Sequence, residues 1–198
     1  MLTNKRLLTT ILIAHLLLFL SFFVFSNVFW QVFTVSLLLL IILSYRSATW
    51  KKITFDQLLI GTLSGLLLYL LFYIGKQFML ILFPEMITSL QSLYDFISPK
   101  EKWHYVSLIL VIIPGEELFW RGFVQGKLEK ASTAFPILLA TVLYTSVHIY
   151  AGTLLLLAAA LLAGFTWGYL YKRTGTITVP ILSHLVFDLM LLVFFPLL

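Results

Sequence analysis

Val106-Ser-Leu-Ile-Leu-Val-Ile-Ile-Pro-Gly-Glu-Glu-Leu-Phe-Trp-Arg121 sets two adjacent carboxylates and a guanidinium at the end of a long apolar run. An acidic or basic side chain at bilayer depth costs about 2.5–3.5 kcal/mol on insertion scales. A run that keeps Glu116, Glu117 and Arg121 is therefore expected to use them, in a buried site that handles protons.

The rest of the chain supports the membrane reading. Of 198 residues, 61% are hydrophobic and 11% charged, against about 45–50% and about 25% in soluble domains. In water so much apolar surface has no interior large enough to hold it. With no linker or low-complexity segment, one integral-membrane unit is expected. There are no cysteines, which excludes disulfides, zinc–thiolate sites and a cysteine nucleophile. The net charge of +5 is spread between apolar runs, so it reads as a topology signal and not as a nucleic-acid surface. Lys5-Arg6 followed by an apolar stretch resembles a signal peptide, but the stretch is long and no small-x-small cleavage site follows it. It is read as an uncleaved first span.

Apolar stretches long enough to cross a bilayer fall at 7–25, 28–45, 57–80, 104–122, 135–150, 153–171 and 177–197. Lipid offers the backbone no hydrogen-bond partner, so each must be helical. The expected fold is an all-α polytopic transmembrane bundle of about seven spans. Lys5, Arg6, Arg46, Lys51, Lys52, Arg121, Lys127, Lys130, Lys172 and Arg173 then share one side, Lys100 and Lys102 the other, and Lys76 lies near the end of the third span. The positive-inside rule puts the N-terminus in the cytoplasm and the C-terminus outside, in a multi-pass protein of the plasma membrane. Gly61/Gly65 and Gly164/Gly168 are spaced for close helix contact. Residues 122–134 suit a short helix lying at the cytoplasmic interface. No internal repeat of the transporter kind is evident.

The remaining intramembrane polar groups, Glu116, Glu117, His148, His184 and Asp188, lie on the fourth, fifth and seventh spans. Glu117 and Arg121 share a helix face at i,i+4 and are expected to pair; Glu116 lies about 100° around the helix and is free to face a cavity. Glu117–Arg121 therefore reads as structural and Glu116 as chemical. Pro114 removes a backbone hydrogen bond just before the pair. His184 and Asp188 repeat the i,i+4 spacing: either Asp188 fixes the His184 tautomer, or both face a substrate carbonyl. Tyr144 precedes His148 by one turn. His15 alone on the first span reads as an interhelical hydrogen-bonder, and His104 as interfacial. A carboxylate and one histidine can activate water while a second histidine with an Asp stabilises an oxyanion. The same donors, Glu116, His148 and His184, can also ligate zinc.

These residues carry a resemblance. Glu116-Glu117-x-x-x-Arg121 resembles the EExxxR signature of the CPBP family (CAAX proteases and bacteriocin-processing enzymes, also called Abi). Tyr144-x-x-x-His148 is similar to its FxxxH motif, and His184-x-x-x-Asp188 to its Hxxx(N/D) motif. Gly164-Phe-Thr-Trp-Gly168 and 174–181 resemble the stretch leading into the third motif. The resemblance covers residues 104–195. It implies a catalytic core at 101–198, in the C-terminal four spans, preceded by variable spans 1–3 and an outer loop at 1–100. It also implies an intramembrane endopeptidase with CAAX-type prenylated peptides as its best-known substrates. Glu116 and His148 would activate water, and His184 and Asp188 would form the oxyanion site, with Glu117, Arg121 and Tyr144 orienting them. Although the family is often labelled metalloprotease, a glutamate-dependent reaction without metal is favoured, with zinc the alternative cofactor. Tyr144 stands where Phe is usual and adds a hydroxyl able to bond His148 or water. Asp188 stands where Asn is commoner, and must be protonated, paired with His184 or placed elsewhere to sit near an oxyanion.

The expected function is hydrolysis of a membrane-associated peptide, with the bilayer as partner and no nucleic acid. Two other classes use the same residues: a non-catalytic scaffold or bacteriocin self-immunity protein, and a small proton-coupled transporter.

Overall fold

Eight helices carry the chain in the computed structural model, which describes residues 5–131 and 134–198. We label them α1 (Lys5–Val24), α2 (Ser26–Ser44), α3 (Phe55–Leu82), α4 (Met86–Ile97), α5 (102–130), α6 (Pro136–Ala151), α7 (Leu154–Thr174) and α8 (Thr178–Phe194). Among the described residues every regular element is helical, as lipid requires. α1, α2, α3 and α7 are long and apolar enough to span a membrane; α6 and α8 are shorter apolar helices. The fold is a helical bundle, and the protein is an integral membrane protein.

Lipid-facing surface explains the sequence of α3. Only Gly61, Gly65 and Leu68 are buried along its length, while Leu63, Leu67, Leu71 and Phe78 are exposed. The buried residues form the seam with α8. A Cβ on Gly65 would stand 2.5 Å from the Ser183 carbonyl oxygen, and one on Gly61 2.9 Å from Leu182. The two backbones approach that closely because neither position has a side chain, and Ser64 Oγ donates to Ser183 Oγ at 3.0 Å across the seam.

The segments between the expected spans gather at two ends. At one, Ile177 N donates to Thr49 O at 2.9 Å, Lys51 N to Thr176 Oγ1 at 3.3 Å, and Lys172 pairs with Glu129 at 3.5 Å. Ala48 packs on Gly122 and Arg6 lies over the Phe123 ring. We call this the basic end. At the other, α4 lies across the helix ends: Tyr94 Oη donates to Leu191 O and accepts from Leu197 N, both at 3.0 Å. Phe96 packs on Phe22 and Phe29. Sequence reading left α4 as loop. Its polar face (Thr88, Ser89, Ser92, Asp95) alternates with Leu90, Tyr94 and Ile97, a half-apolar pattern too short to register as a span.

Residues 122–134 depart from expectation. The helix does not end at 122 and restart along the interface: it continues to Lys130, with Gly122, Phe123, Val124, Gln125 and Leu128 buried. Residues 132 and 133 lie outside the described ones. The mixture of charged and apolar residues that suggested an interface helix belongs to a buried helix with one polar face. The extension also brings Glu116 level with His148. From the basic end Glu116 is roughly 20 Å up α5 and His148 roughly 18 Å up α6, at about 1.5 Å per residue. Ending α5 at 122 would set Glu116 much too shallow to meet His148.

Gly65→Ala should lower the thermal unfolding midpoint in detergent, by the equivalent of about 1–3 kcal/mol for overpacking. Gly75→Ala, on the same helix with nothing within 4 Å of its would-be Cβ, should not lower it.

Candidate active site

α5 is not a uniform helix. A wide π turn at Leu108–Ile112 precedes Pro114, whose ring has no N–H to give, and a second spans Leu118–Gln125. Such turns mark functional places in helices. Between them the α-helical stretch Ile113–Glu117 carries both glutamates, each buried.

The two carboxylates part as their helix phase predicts. Glu117, with no exposed surface, accepts from Arg121 Nη1 at 3.2 Å and from His184 Nδ1 at 2.9 Å on the same oxygen, Oε1. Arg121 in turn donates from Nη2 to Gly164 O at 3.2 Å. Its guanidinium lies over the Tyr144 ring at 4.4 Å and the Trp167 ring at 5.3 Å. The missing Cβ of Gly164 makes room, since one there would stand 2.8 Å from Tyr144 and 3.4 Å from Arg121 Nη2. One turn on, Gln125 donates to Gly168 O at 3.0 Å and to Glu129 at 3.1 Å. Glu117, Arg121, Gln125 and Glu129 form a polar spine at four-residue spacing, docked on the glycine face of α7.

Glu116 faces the other way, into a cavity of about 130 Å³ whose walls include Tyr144, His148, Trp167, His184 and Asp188. Tyr144 Oη donates to Glu116 Oε2 at 2.8 Å. His148 Nδ1 lies 2.8 Å from Tyr144 O; a carbonyl only accepts, so Nδ1 carries the hydrogen and Nε2 is left toward the cavity. That Nε2 lies 3.9 Å from Glu116 Oε1, and His184 Nε2 lies 4.0 Å from Glu116 Oε2. Both gaps exceed a direct hydrogen bond and suit a small molecule held between the three groups.

His184 is fixed on three sides. Glu117 holds Nδ1, Asp188 Oδ2 lies 3.3 Å from Nε2, and Trp167 stacks on the ring with centroids 3.6 Å apart and planes 16° from parallel. Of the alternatives for Asp188, the geometry is the pairing with His184. The Tyr144 hydroxyl meets neither His148 nor a free face; it meets Glu116. Outside the cavity, His15 bonds the Tyr150 hydroxyl and Ser146 across α1 and α6, an interhelical hydrogen-bonder as read. His104 accepts the backbone N–H groups of Lys100 and Glu101 and stacks on Trp30.

The structure thus brings Glu116, Glu117, Arg121, Tyr144, His148, His184 and Asp188 into one cluster. Sequence reading missed the Glu117–His184 contact, which depends on how α8 lies on α5, and Trp167, although it sits between the two glycines already singled out. The spine was foreshadowed by the spacing 117, 121, 125, 129.

These residues, as placed, do not fit a bound zinc. A tetrahedral site needs nitrogen and oxygen donors about 2.0–2.2 Å from one point, and no group of three His, Asp or Glu among the described residues has metal-holding geometry. His184 also turns each ring nitrogen to a carboxylate, one at 2.9 Å and one at 3.3 Å.

Comparison with known proteins falls on the same segment. Residues 98–190, just under half the chain, match the family described as type II CAAX prenyl endopeptidase, Rce1-like. This is the segment that resembles the CPBP family. All three CPBP motifs lie inside the matched segment and all three feed the cavity. A relative from Bacillus subtilis (strain 168), named "Putative membrane peptidase YdiL", is 39% identical over 74 residues. That stretch is 37% of this chain and 29% of the relative, so the chain spans well under half of the protein it matches. No solved structure matches it.

Removing one partner of a buried ion pair costs about 3–5 kcal/mol. Glu117→Gln should therefore destabilise the detergent-solubilised protein by about that much in thermal unfolding, and Glu116→Gln by far less. Equal losses would mean that the two carboxylates do not differ in structural role.

Proposed function

We propose that the protein is an intramembrane endopeptidase that hydrolyses a membrane-associated peptide with a water activated by Glu116 and His148. The observation that carries this reading is the convergence of Glu116, His148 Nε2 and His184 Nε2 on one cavity, with gaps of 3.9 and 4.0 Å. A water between Glu116 and His148 can give a proton to the carboxylate while the imidazole lone pair accepts its other hydrogen and fixes its direction. Its oxygen bonds to the scissile carbonyl carbon. The carbonyl oxygen, taking up the displaced electron pair, receives the His184 Nε2–H, which Asp188 keeps pointed into the cavity beforehand. Collapse of that intermediate breaks the C–N bond, and Glu116 returns its proton to the leaving amine. One carboxylate serves as base and then as acid.

Glu117, Arg121 and Tyr144 orient the machinery. Glu117 holds the imidazole whose other nitrogen faces the substrate, and Tyr144 sets the rotation of the Glu116 carboxylate. We assign no metal to this reaction, because His184, one of the three donors a zinc would need, already turns both ring nitrogens to carboxylates. By the positive-inside rule the basic end lies in the cytoplasm, with the protein in the plasma membrane and its C-terminus outside. A CAAX-type prenylated peptide is the first substrate to try, on the strength of the family.

Glu116→Gln should lower cleavage of a reporter peptide by at least about 100-fold, the low end for a lost general base, while the protein still inserts. Full activity in that variant would sink the mechanism. Tyr144→Phe should stay within about tenfold of wild type, since it removes one hydrogen bond and leaves the base in place. Cleavage should persist after exhaustive chelation, and metal analysis of the purified active protein should find less than stoichiometric zinc. Chelator-sensitive activity restored by zinc would overturn the metal-free assignment.

A further inference from the structure

The connection between α2 and α3, residues 45–54, has no helix of its own, yet it is tied to the turn between α7 and α8. Thr49 gives both sides of its backbone to that region: its N–H donates to Tyr171 Oη at 3.4 Å, and its carbonyl accepts from Ile177 N at 2.9 Å. Two residues on, Lys51 N donates to Thr176 Oγ1 at 3.3 Å. The turn itself needs Gly175, whose φ of 64° suits a residue without a Cβ. The missing Cβ also admits the lysine side chain, since one built there would stand 3.1 Å from Lys51 Nζ.

These bonds gather cations from two distant parts of the chain. Lys51 and Lys52 come from the connection, Lys172 and Arg173 from the last turn of α7. Glu129 takes Lys172 at 3.5 Å. Lys51, Lys52 and Arg173 are exposed and have no carboxylate partner among the described residues. Like charges held together by backbone bonds repel, and an anion from outside relieves that repulsion. Beside the lysine pair, Trp50 and Phe55 are 58% and 70% exposed. Large rings left open next to lysines belong at the boundary between lipid headgroups and acyl chains. At that level the anion within reach is a lipid phosphate.

We infer that Lys51, Lys52 and Arg173 form a headgroup site for an anionic phospholipid, with Trp50 and Phe55 beside its glycerol and upper acyl region. The phosphate supplies the charge, and the two open rings select a lipid over free phosphate as its source. A lipid seated there joins the α2–α3 connection to the start of α8, where Ile177 and Val179 have no exposed surface. It thereby braces the helix that carries His184. None of the site's residues lines the catalytic cavity, and the inference stands whether or not the protein cleaves peptides.

The absence of native cysteine allows one fluorophore to be placed at a time in protein reconstituted in phosphatidylcholine bilayers. A donor on Thr49→Cys should be quenched by acceptor-labelled phosphatidylglycerol at a mole fraction at least about fivefold below that needed with acceptor-labelled phosphatidylcholine, the ratio expected from a single cation–headgroup contact. A donor on Ser92→Cys, at the α4 end, should show no such preference. Lys51→Gln/Lys52→Gln/Arg173→Gln should reduce the preference at Thr49→Cys to less than about twofold. Its melting temperature in neutral detergent should not change, because the bonds that hold the connection come from the backbone of residues 49 and 51. Arg173→Gln alone, which touches none of those bonds, should already lower the preference, and Lys100→Gln/Lys102→Gln should keep it. Inorganic phosphate should relieve quenching no better than sodium chloride of equal ionic strength. A preference that survives in the triple variant overturns the site. Phosphate that competes beyond its ionic strength makes a soluble anion the ligand and overturns the lipid assignment.

Discussion

A single oxygen, Glu117 Oε1, joins the parts of this protein that have to agree. It takes the Arg121 guanidinium from its own helix and the His184 imidazole from α8. Through Arg121 it reaches the backbone of α7, and through the guanidinium stack the ring of Tyr144 on α6. Four helices therefore meet at one carboxylate with no access to solvent or lipid. Such a group is tolerable only when paired, and the pairing makes the geometry around it hard to alter by small steps. The freedom of Glu116 follows from this: because its neighbour carries the structural duty, it can keep both oxygens toward the cavity.

The chemistry of the cluster is matched to its depth. The groups that would react are carried on α5, α6 and α8, and the wall that holds them is largely aromatic: Trp167 under His184, and Tyr144 beneath Arg121. Aromatic faces fix the rings without offering competing acceptors. Glycines at 164 and 168 on α7 leave the room for Arg121 and Gln125 to find carbonyl oxygens there. Those donor bonds matter more in a bilayer than at a wet surface, where water would satisfy the same groups.

Much of this was legible in the residues. Composition and span length predict a helical bundle, charge placement predicts which segments gather at the basic end, and four-residue spacing separates Glu117 from Glu116. What stayed hidden depends on distant contacts. The meeting of Glu117 with His184 needs the mutual placement of α5 and α8, which no local pattern encodes. The continuation of α5 to Lys130 was masked because charges at 127, 129 and 130 read as a boundary when the helix is taken alone. α4 was masked by its brevity. The Tyr144 hydroxyl was visible as an extra group, but its partner was not, since Tyr144 faces Glu116 only once α6 is laid against α5.

The wide turns in α5 have a consequence for phase. Each inserts slack into the helical count, so the faces shown before and after it are set independently. Ahead of Leu108–Ile112 the helix must seat His104 and Ser107 against its neighbours; beyond it, the same rod must aim Glu116 at the cavity and Glu117 at α8. A rod with a uniform period would carry both halves rigidly in step, and satisfying one would misdirect the other by the angle of a whole residue. The turn before Pro114 works as a clutch. It lets the packing half and the chemical half of one helix be indexed separately.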